Sequence, residues 1–308
     1  MEHKKLVDVF KTVGLPPYTY VKASYYGEVR SDIEQPGKHL LIEGPSGIGK
    51  TCVVYKVFEE LGWKEGQHYT YISCRETSAS KVLNSFLSAA LSDTSVQTPV
   101  LVVDDFHLLP STERSQTGSQ LKQISDKAFT IKSPPKVVLI GIPATGTSLL
   151  SQAYDLGPRL GNYRLNRATD DDIRRLIGEG EAALNILFED EDILLSEIEG
   201  NFWLAQFICS KVCSSEGVFE TLQDPKILTF DLLTIRKRLM DELTPRFMPI
   251  AIKFAKGRRH GRRLKIQVMI LSVQQPLPKG IQILFGLGRI MARYIKPVTV
   301  SRLPLPGH

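Results

Sequence analysis

The chain has 308 residues, 42% of them hydrophobic and 23% charged, which excludes disordered and fibrous classes and leaves room for roughly two domains of ~150 residues. Its four cysteines, Cys52, Cys74, Cys209 and Cys213, are too scattered for a disulfide framework, and no run reaches the ~18 apolar residues of a membrane span, so the composition reads as cytoplasmic. The net charge of +6 joins two unlike parts: after Glu242 there are 13 basic residues and no acid, leaving 26 basic against 33 acidic residues, or −7, over residues 1–242.

Residues 1–35 read as an irregular lead-in, rich in Pro, Gly and Tyr through Gly14-Leu-Pro-Pro-Tyr-Thr-Tyr, with short helical pieces at 6–13 and 28–34. From residue 36 the pattern becomes regular. Short apolar, β-branched runs at 39–43, 69–73, 100–103, 136–141 and 162–165 alternate with helical stretches at 50–61, 79–92, 117–129 and 148–154. Strands separated by helices of this length pair in parallel through crossovers, so residues 36–168 are expected to form an α/β core on a five-stranded parallel sheet. After Thr169 the strand signal gives way to helices at 170–180, 193–199, 201–214 and 230–243. Apolar residues at helical spacing, Phe202, Leu204, Ala205, Phe207, Ile208 and Val212 among them, mark 169–242 as a small all-α lid domain. Residues 243–308 form a basic C-terminal extension with weak periodicity and seven prolines, expected to be poorly ordered.

The strongest chemical signal is Gly44-Pro45-Ser46-Gly47-Ile48-Gly49-Lys50-Thr51, a full match to the phosphate-binding (Walker A) loop, placed between an apolar strand and an amphipathic helix as that motif requires. The glycines let backbone N–H groups turn toward a phosphate, and the helix N-terminus adds partial positive charge. Lys50 is positioned to reach the β- and γ-phosphates, and the Thr51 hydroxyl to ligate Mg²⁺. Some fifty residues on, the aliphatic run Val100-Leu-Val-Val103 ends in Asp104-Asp105. A buried strand carries charge cheaply only at its end, and the carboxyl ends of open parallel sheets are where ligands gather. This is the Walker B pattern, with Asp104 as the Mg²⁺ carboxylate and Asp105 as the group that orients the attacking water.

The loop, the paired aspartates, the strand Val137-Val-Leu-Ile-Gly-Ile-Pro143 and the helical segment after it resemble the ATPase core of AAA+ and STAND-type P-loop NTPases over residues 36–215. Paired aspartates are similar to the STAND branch, and the lead-in Gly14-Leu-Pro-Pro-Tyr-Thr-Tyr-Val resembles that of bacterial ATP-binding STAND proteins. The resemblance implies ATP as the nucleotide, a sensor residue at the tip of the 137–142 strand, and homo-oligomers in which one subunit's arginine reaches its neighbour's nucleotide. Ile142 occupies the sensor tip, with Thr145 on the next turn as a weak substitute. Arg159 falls where the arginine is placed, although an arginine before an edge strand is also a common solvated charge.

Among smaller features, the resemblance implies that Tyr18 and Tyr20 could flank the adenine, while His107 reads as structural, Trp203 and Phe207 as core rather than a base-stacking platform, and Cys209 and Cys213 as small buried groups. The run Lys256–Lys265 has six basic residues in ten, able to neutralise nucleic-acid phosphates through residues 253–265, but a solvated tail or a truncated or frame-shifted end would look the same. The reading that follows is a Mg-ATP-binding, slowly hydrolysing switch of STAND type. A DNA-acting AAA+ ATPase with a basic tail is the alternative, and a small-molecule kinase, with only Arg167, Arg174 and Arg175 in its lid, ranks below both.

Overall fold

The structure, a computed structural model, describes residues 3–92, 96–131, 134–142 and 154–255. Thr145, most of the helix expected at 148–154 and the basic run 256–265 lie outside them. The chain divides into two units, Met1–Thr229 and Phe230–His308.

The first unit is built on five parallel strands, β1 (His39–Glu43), β2 (Tyr69–Ser73), β3 (Val100–Asp104), β4 (Lys136–Gly141) and β5 (Leu160–Arg164), in the order β2-β3-β4-β1-β5. The interior strands β1 and β4 are buried along their whole length, and β3 at all but its last residue, whereas the edge strands β2 and β5 have partly or fully exposed positions. Near-continuous aliphatic runs are what a sheet covered on both faces demands. Because side chains alternate across a strand, Leu41, Leu101, Val103, Val137 and Leu139 pack on one face, against α4 (Ala79–Leu91) and α5 (Ser111–Asp126). On the other face, Leu40, Ile42, Val102, Val138 and Ile140 pack against α2 (Tyr26–Glu34) and α3 (Lys50–Glu60). The expected α/β P-loop fold is therefore present, at nearly the expected boundaries.

Two polar residues tie the layers together. Lys136 at the start of β4 is buried, and its Nζ donates to the carbonyls of Asp32 at 2.9 Å, Ile33, and Gln35 at 2.8 Å, capping the C-terminus of α2. His39 is fully buried in β1: Val137 N–H donates to its Nδ1 at 3.0 Å, so the ring proton resides on Nε2 and is donated to the Leu121 carbonyl at 3.0 Å.

Helix α5 begins at Ser111, six residues before the expected start, because its first turns (Ser-Thr-Glu-Arg-Ser-Gln) carry no apolar period. Beyond β5 the first unit continues with α6 (Asp170–Leu184), α7 (Glu191–Ile198) and α8 (Phe202–Ser215). A capping box starts α6: Thr169 Oγ1 accepts from Asp172 N at 3.2 Å, and Thr169 N donates to the Asp172 carboxylate at 3.3 Å. The expectation of helices alone after Thr169 misses a short parallel pair, β6 (Ile186–Phe188) and β7 (Lys226–Leu228). Three residues each are too few to show alternation in a sequence. At the N-terminus, α1 (Leu6–Val9) is joined to this segment through Leu6 N–H to Phe219 O at 2.8 Å and Thr221 N–H to Lys4 O at 2.9 Å.

The second unit, as far as it is described, is α9 (Leu232–Ala255), which runs twelve residues past the expected end at 243. Asp231 starts it, its carboxylate accepting from Leu233 N and Thr234 N at 3.1 Å each.

Candidate functional site

The turn from β1 into α3 is the phosphate loop, and its shape depends on two glycines with left-handed backbone, Gly47 at φ +81 and Gly49 at φ +85. Gly47 is also excluded from any larger residue by contact, since a Cβ there would lie 2.5 Å from Asn201 Oδ1. Lys50 Nζ donates to the carbonyls of Gly44 at 2.9 Å and Pro45 at 2.6 Å. Burial lowers the Lys50 pKa, and the nearby Asp104 and Asp105 work against that shift.

Opposite the loop, the end of β3 places both carboxylates. Asp104 Oδ2 accepts from the Thr51 hydroxyl at 2.9 Å and from the Tyr71 hydroxyl at 3.0 Å, while Oδ1 accepts from Asp105 N–H at 2.7 Å. Tyr71 reaches it from the neighbouring strand β2, and burial followed by the Asp104 charge raises its pKa. Asp105 is left-handed at φ +54, a conformation that Asp tolerates better than most residues, and it turns its carboxylate toward Arg75 just beyond β2. There Arg75 Nε donates to Oδ2 at 2.5 Å. Burial chiefly, and the two aspartates, push the neighbouring Cys74 thiol up to about 12.

Residues Ser46 to Thr51 of the loop, with Arg75, Asp104 and Asp105, line one cavity of about 340 Å³. Its other walls are the lead-in, through Thr12, Tyr20 and Val21, and the helices after the core, through Leu176, Trp203 and Gln206. The helical segment touches the phosphate loop directly: Trp203 N–H donates to Gly47 O at 3.0 Å, and Asn201 Nδ2 to Ser46 O at 3.2 Å. Asn201 also starts α8 by accepting from Leu204 N at 3.0 Å.

The residues fit a Mg-nucleotide. The glycine cradle opens at a helix N-terminus, a lysine stands over it, and a hydroxyl and a carboxylate are already paired at 2.9 Å where Mg²⁺ would take its oxygen ligands. Among the described residues no group of three or more His, Cys, Asp or Glu forms a metal cage, and Mg²⁺ of this kind takes its remaining ligands from phosphates and water.

The structure thus brings together the whole loop Gly44–Thr51 with Asp104 and Asp105. Arg159 stands apart from this cavity: it ends the 3₁₀ segment Tyr154–Arg159 and pairs with Asp126 at 2.6 Å. The sensor tip Ile142 is 44% exposed. Tyr20 is at the cavity, whereas Tyr18 lies under Lys4, whose Nζ is 4.6 Å from the ring centre. Trp203 corrects its reading as core, for it lines the cavity while its Nε1 donates to Thr12 O at 3.1 Å; Phe207 behind it is buried as expected. His107 is half-buried beyond Asp105, and burial lowers its pKa. Arg75, Tyr71, Asn201 and Gln206 escape sequence reasoning. Only Asn201, a capping residue after Gly200, carries a local signal.

A Walker A loop, a Walker B strand and this strand order define a P-loop nucleotide-binding protein. Residues 40–159 match the family described as "ATPase family associated with various cellular activities (AAA)". The fold is similar to the Aeropyrum pernix Orc1 protein solved in complex with DNA, at 13% identity over 80% of this chain and 72% of that one, TM-score 0.53. Similar too are the Thermotoga maritima RuvB Holliday junction branch migration motor (18% identity, 78% and 79% covered, TM-score 0.44) and domain III of the Thermotoga maritima replication initiation protein DnaA (14%, 77% and 98%, TM-score 0.45). No helix among the described residues is long and apolar enough to cross a membrane.

Proposed function

We propose that this protein binds Mg-ATP in the cavity between phosphate loop, lead-in and helical segment, hydrolyses it slowly, and uses the bound state to set the helical segment as a STAND-type switch. The observation that carries this reading is the direct bonding of that segment to the loop, through Asn201 to Ser46 and Trp203 to Gly47, so that whatever the loop holds is felt by α8. Lys50 exchanges its loop carbonyls for phosphate oxygens, Thr51 and Asp104 hold the metal, and Asp105 orients water once released from Arg75. Mg²⁺ supplies charge neutralisation of the transferred phosphoryl group.

Lys50→Ala removes the point charge and leaves the fold in place. Calorimetric titration with Mg-ATP is expected to show binding lost in a variant that melts like the parent; retained affinity in that folded variant sinks the assignment.

One observation favours the second reading, an AAA+ ATPase that acts on DNA: every one of the 13 charged residues after Glu242 is basic. If residues 253–265 grip DNA, deleting 246–265 abolishes salt-dependent binding to duplex DNA, and unchanged binding removes the tail from the account. The kinase reading loses ground because the arginines it would use face neighbouring acids: Arg167 is paired with Glu199, Arg174 with Glu191 and Asp192, and Arg175 with Asp172.

A further inference from the structure

We infer that Gln206 reads the base, making the cavity selective for a purine with an amino group at the position where guanine has a carbonyl. The inference rests on the reading of this cavity as a nucleotide site and deepens it, because neither loop nor Walker B strand distinguishes one base from another.

Gln206 lies one helical turn beyond the part of α8 that touches the phosphate loop, and on the lead-in side, where its Nε2 donates to Thr19 Oγ1 at 2.7 Å. The residue lines the cavity yet is only 4% exposed, and its Oε1 is a buried acceptor with no partner among the described residues. The orientation of the amide is fixed from behind. Thr19 donates its single hydroxyl proton to Val9 O at 2.7 Å, so toward Gln206 it acts only as an acceptor. The NH₂ group must therefore face Thr19, and the carbonyl oxygen is the atom left over.

Native proteins seldom leave such an acceptor without a donor, and a ligand that supplies one gains what the empty site forgoes. The same cavity is lined by Tyr20 and Val21, which follow Thr19 in the chain, and by Leu176, apolar surface suited to a flat heterocycle. Adenine brings an N–H donor on its edge to such a site. Guanine held in the same pose sets O6, a second acceptor, opposite Oε1, and its N1–H and N2 donors reach Oε1 only if the base shifts along its edge.

The test uses the full chain with Mg²⁺ and four probes in calorimetric titrations: ATP, purine riboside triphosphate (ATP without the amino group), GTP and inorganic tripolyphosphate. ATP is expected to bind at least about tenfold more tightly than purine riboside triphosphate, the scale of one buried hydrogen bond, with GTP weaker still. In Gln206→Met the ATP affinity falls to that of purine riboside triphosphate, and tripolyphosphate binding is unchanged. Equal affinity of the wild type for ATP and purine riboside triphosphate overturns the inference, as it would if water alone satisfied Oε1. A folded Gln206→Met that keeps the full ratio also overturns it, and should that variant not fold, the wild-type comparison decides. Failure of the underlying nucleotide reading looks different: the wild type then binds none of the four probes.

Discussion

Asp104 and Asp105 are adjacent in sequence but live in different surroundings. Asp104 is held by three donors, two of them side-chain hydroxyls from α3 and β2, and so is a fixed carboxylate. Asp105 sits on a left-handed turn and shares its charge with a mobile type of partner, an arginine whose side chain is 75% exposed. Asp105→Asn is therefore expected to leave Mg-ATP affinity within a few-fold of wild type and to lower turnover by about a hundredfold or more, as loss of a general base does. Steady-state phosphate release alongside a binding isotherm separates the two effects, and undiminished hydrolysis places the base elsewhere. The loop residues, Thr51 and the aspartates were legible because their spacing is local and their chemistry demands those residue types. Tyr71, Arg75 and Gln206 were not, since each acquires its role from a contact 30 to 187 residues away, and nothing beside them in the sequence marks that contact.

At the level of elements, the sheet shows how far patterning reaches. The aliphatic centres of β1, β3 and β4 named those strands, because two-sided burial keeps their middles apolar and their polar residues stand at the ends; the same logic failed for β6 and β7, which at three residues each are too short to show a period. His39 is the buried polar residue that opens β1. Burial lowers its pKa from 6.5 to about 4, with Lys136 contributing and the Leu121 carbonyl opposing. The folded protein thus holds this ring neutral while the unfolded chain protonates it near pH 6.5. Stability is fully present above that pH and is lost as pH falls toward 4, by at most about 3 kcal/mol from this group. Urea unfolding at pH 7 and pH 4.5 is expected to show this loss. In His39→Gln, which retains a donor for Leu121, the difference between the two pH values shrinks; an unchanged difference assigns the acid sensitivity to carboxylates alone.

For the whole molecule, the division of charge matters more than the total. The −7 of residues 1–242 means that net charge gives this part of the chain no basic field, so the +6 of the whole chain is no argument that it grips nucleic acid. We propose that Arg159, which is not among the residues lining the cavity of its own chain, acts at a neighbour's nucleotide, where an arginine supplied in trans stabilises developing charge. Light scattering with and without Mg-ATP is expected to show a larger particle with nucleotide, and Arg159→Ala to assemble with turnover reduced. A monomer under both conditions with full activity would remove Arg159 from catalysis. The bonds of residues 4–6 to 219–221 have a practical consequence for dissecting the protein. Near-opposite ends of the first unit are stitched edge to edge, and the stretch after them walls the cavity, so a fragment begun at the first strand of the sheet would lose both a seam and a side of the binding site. The smallest piece that keeps both starts before Lys4 and runs past Thr221, and a permutant that splices those two ends should tolerate the cut better than one that separates them.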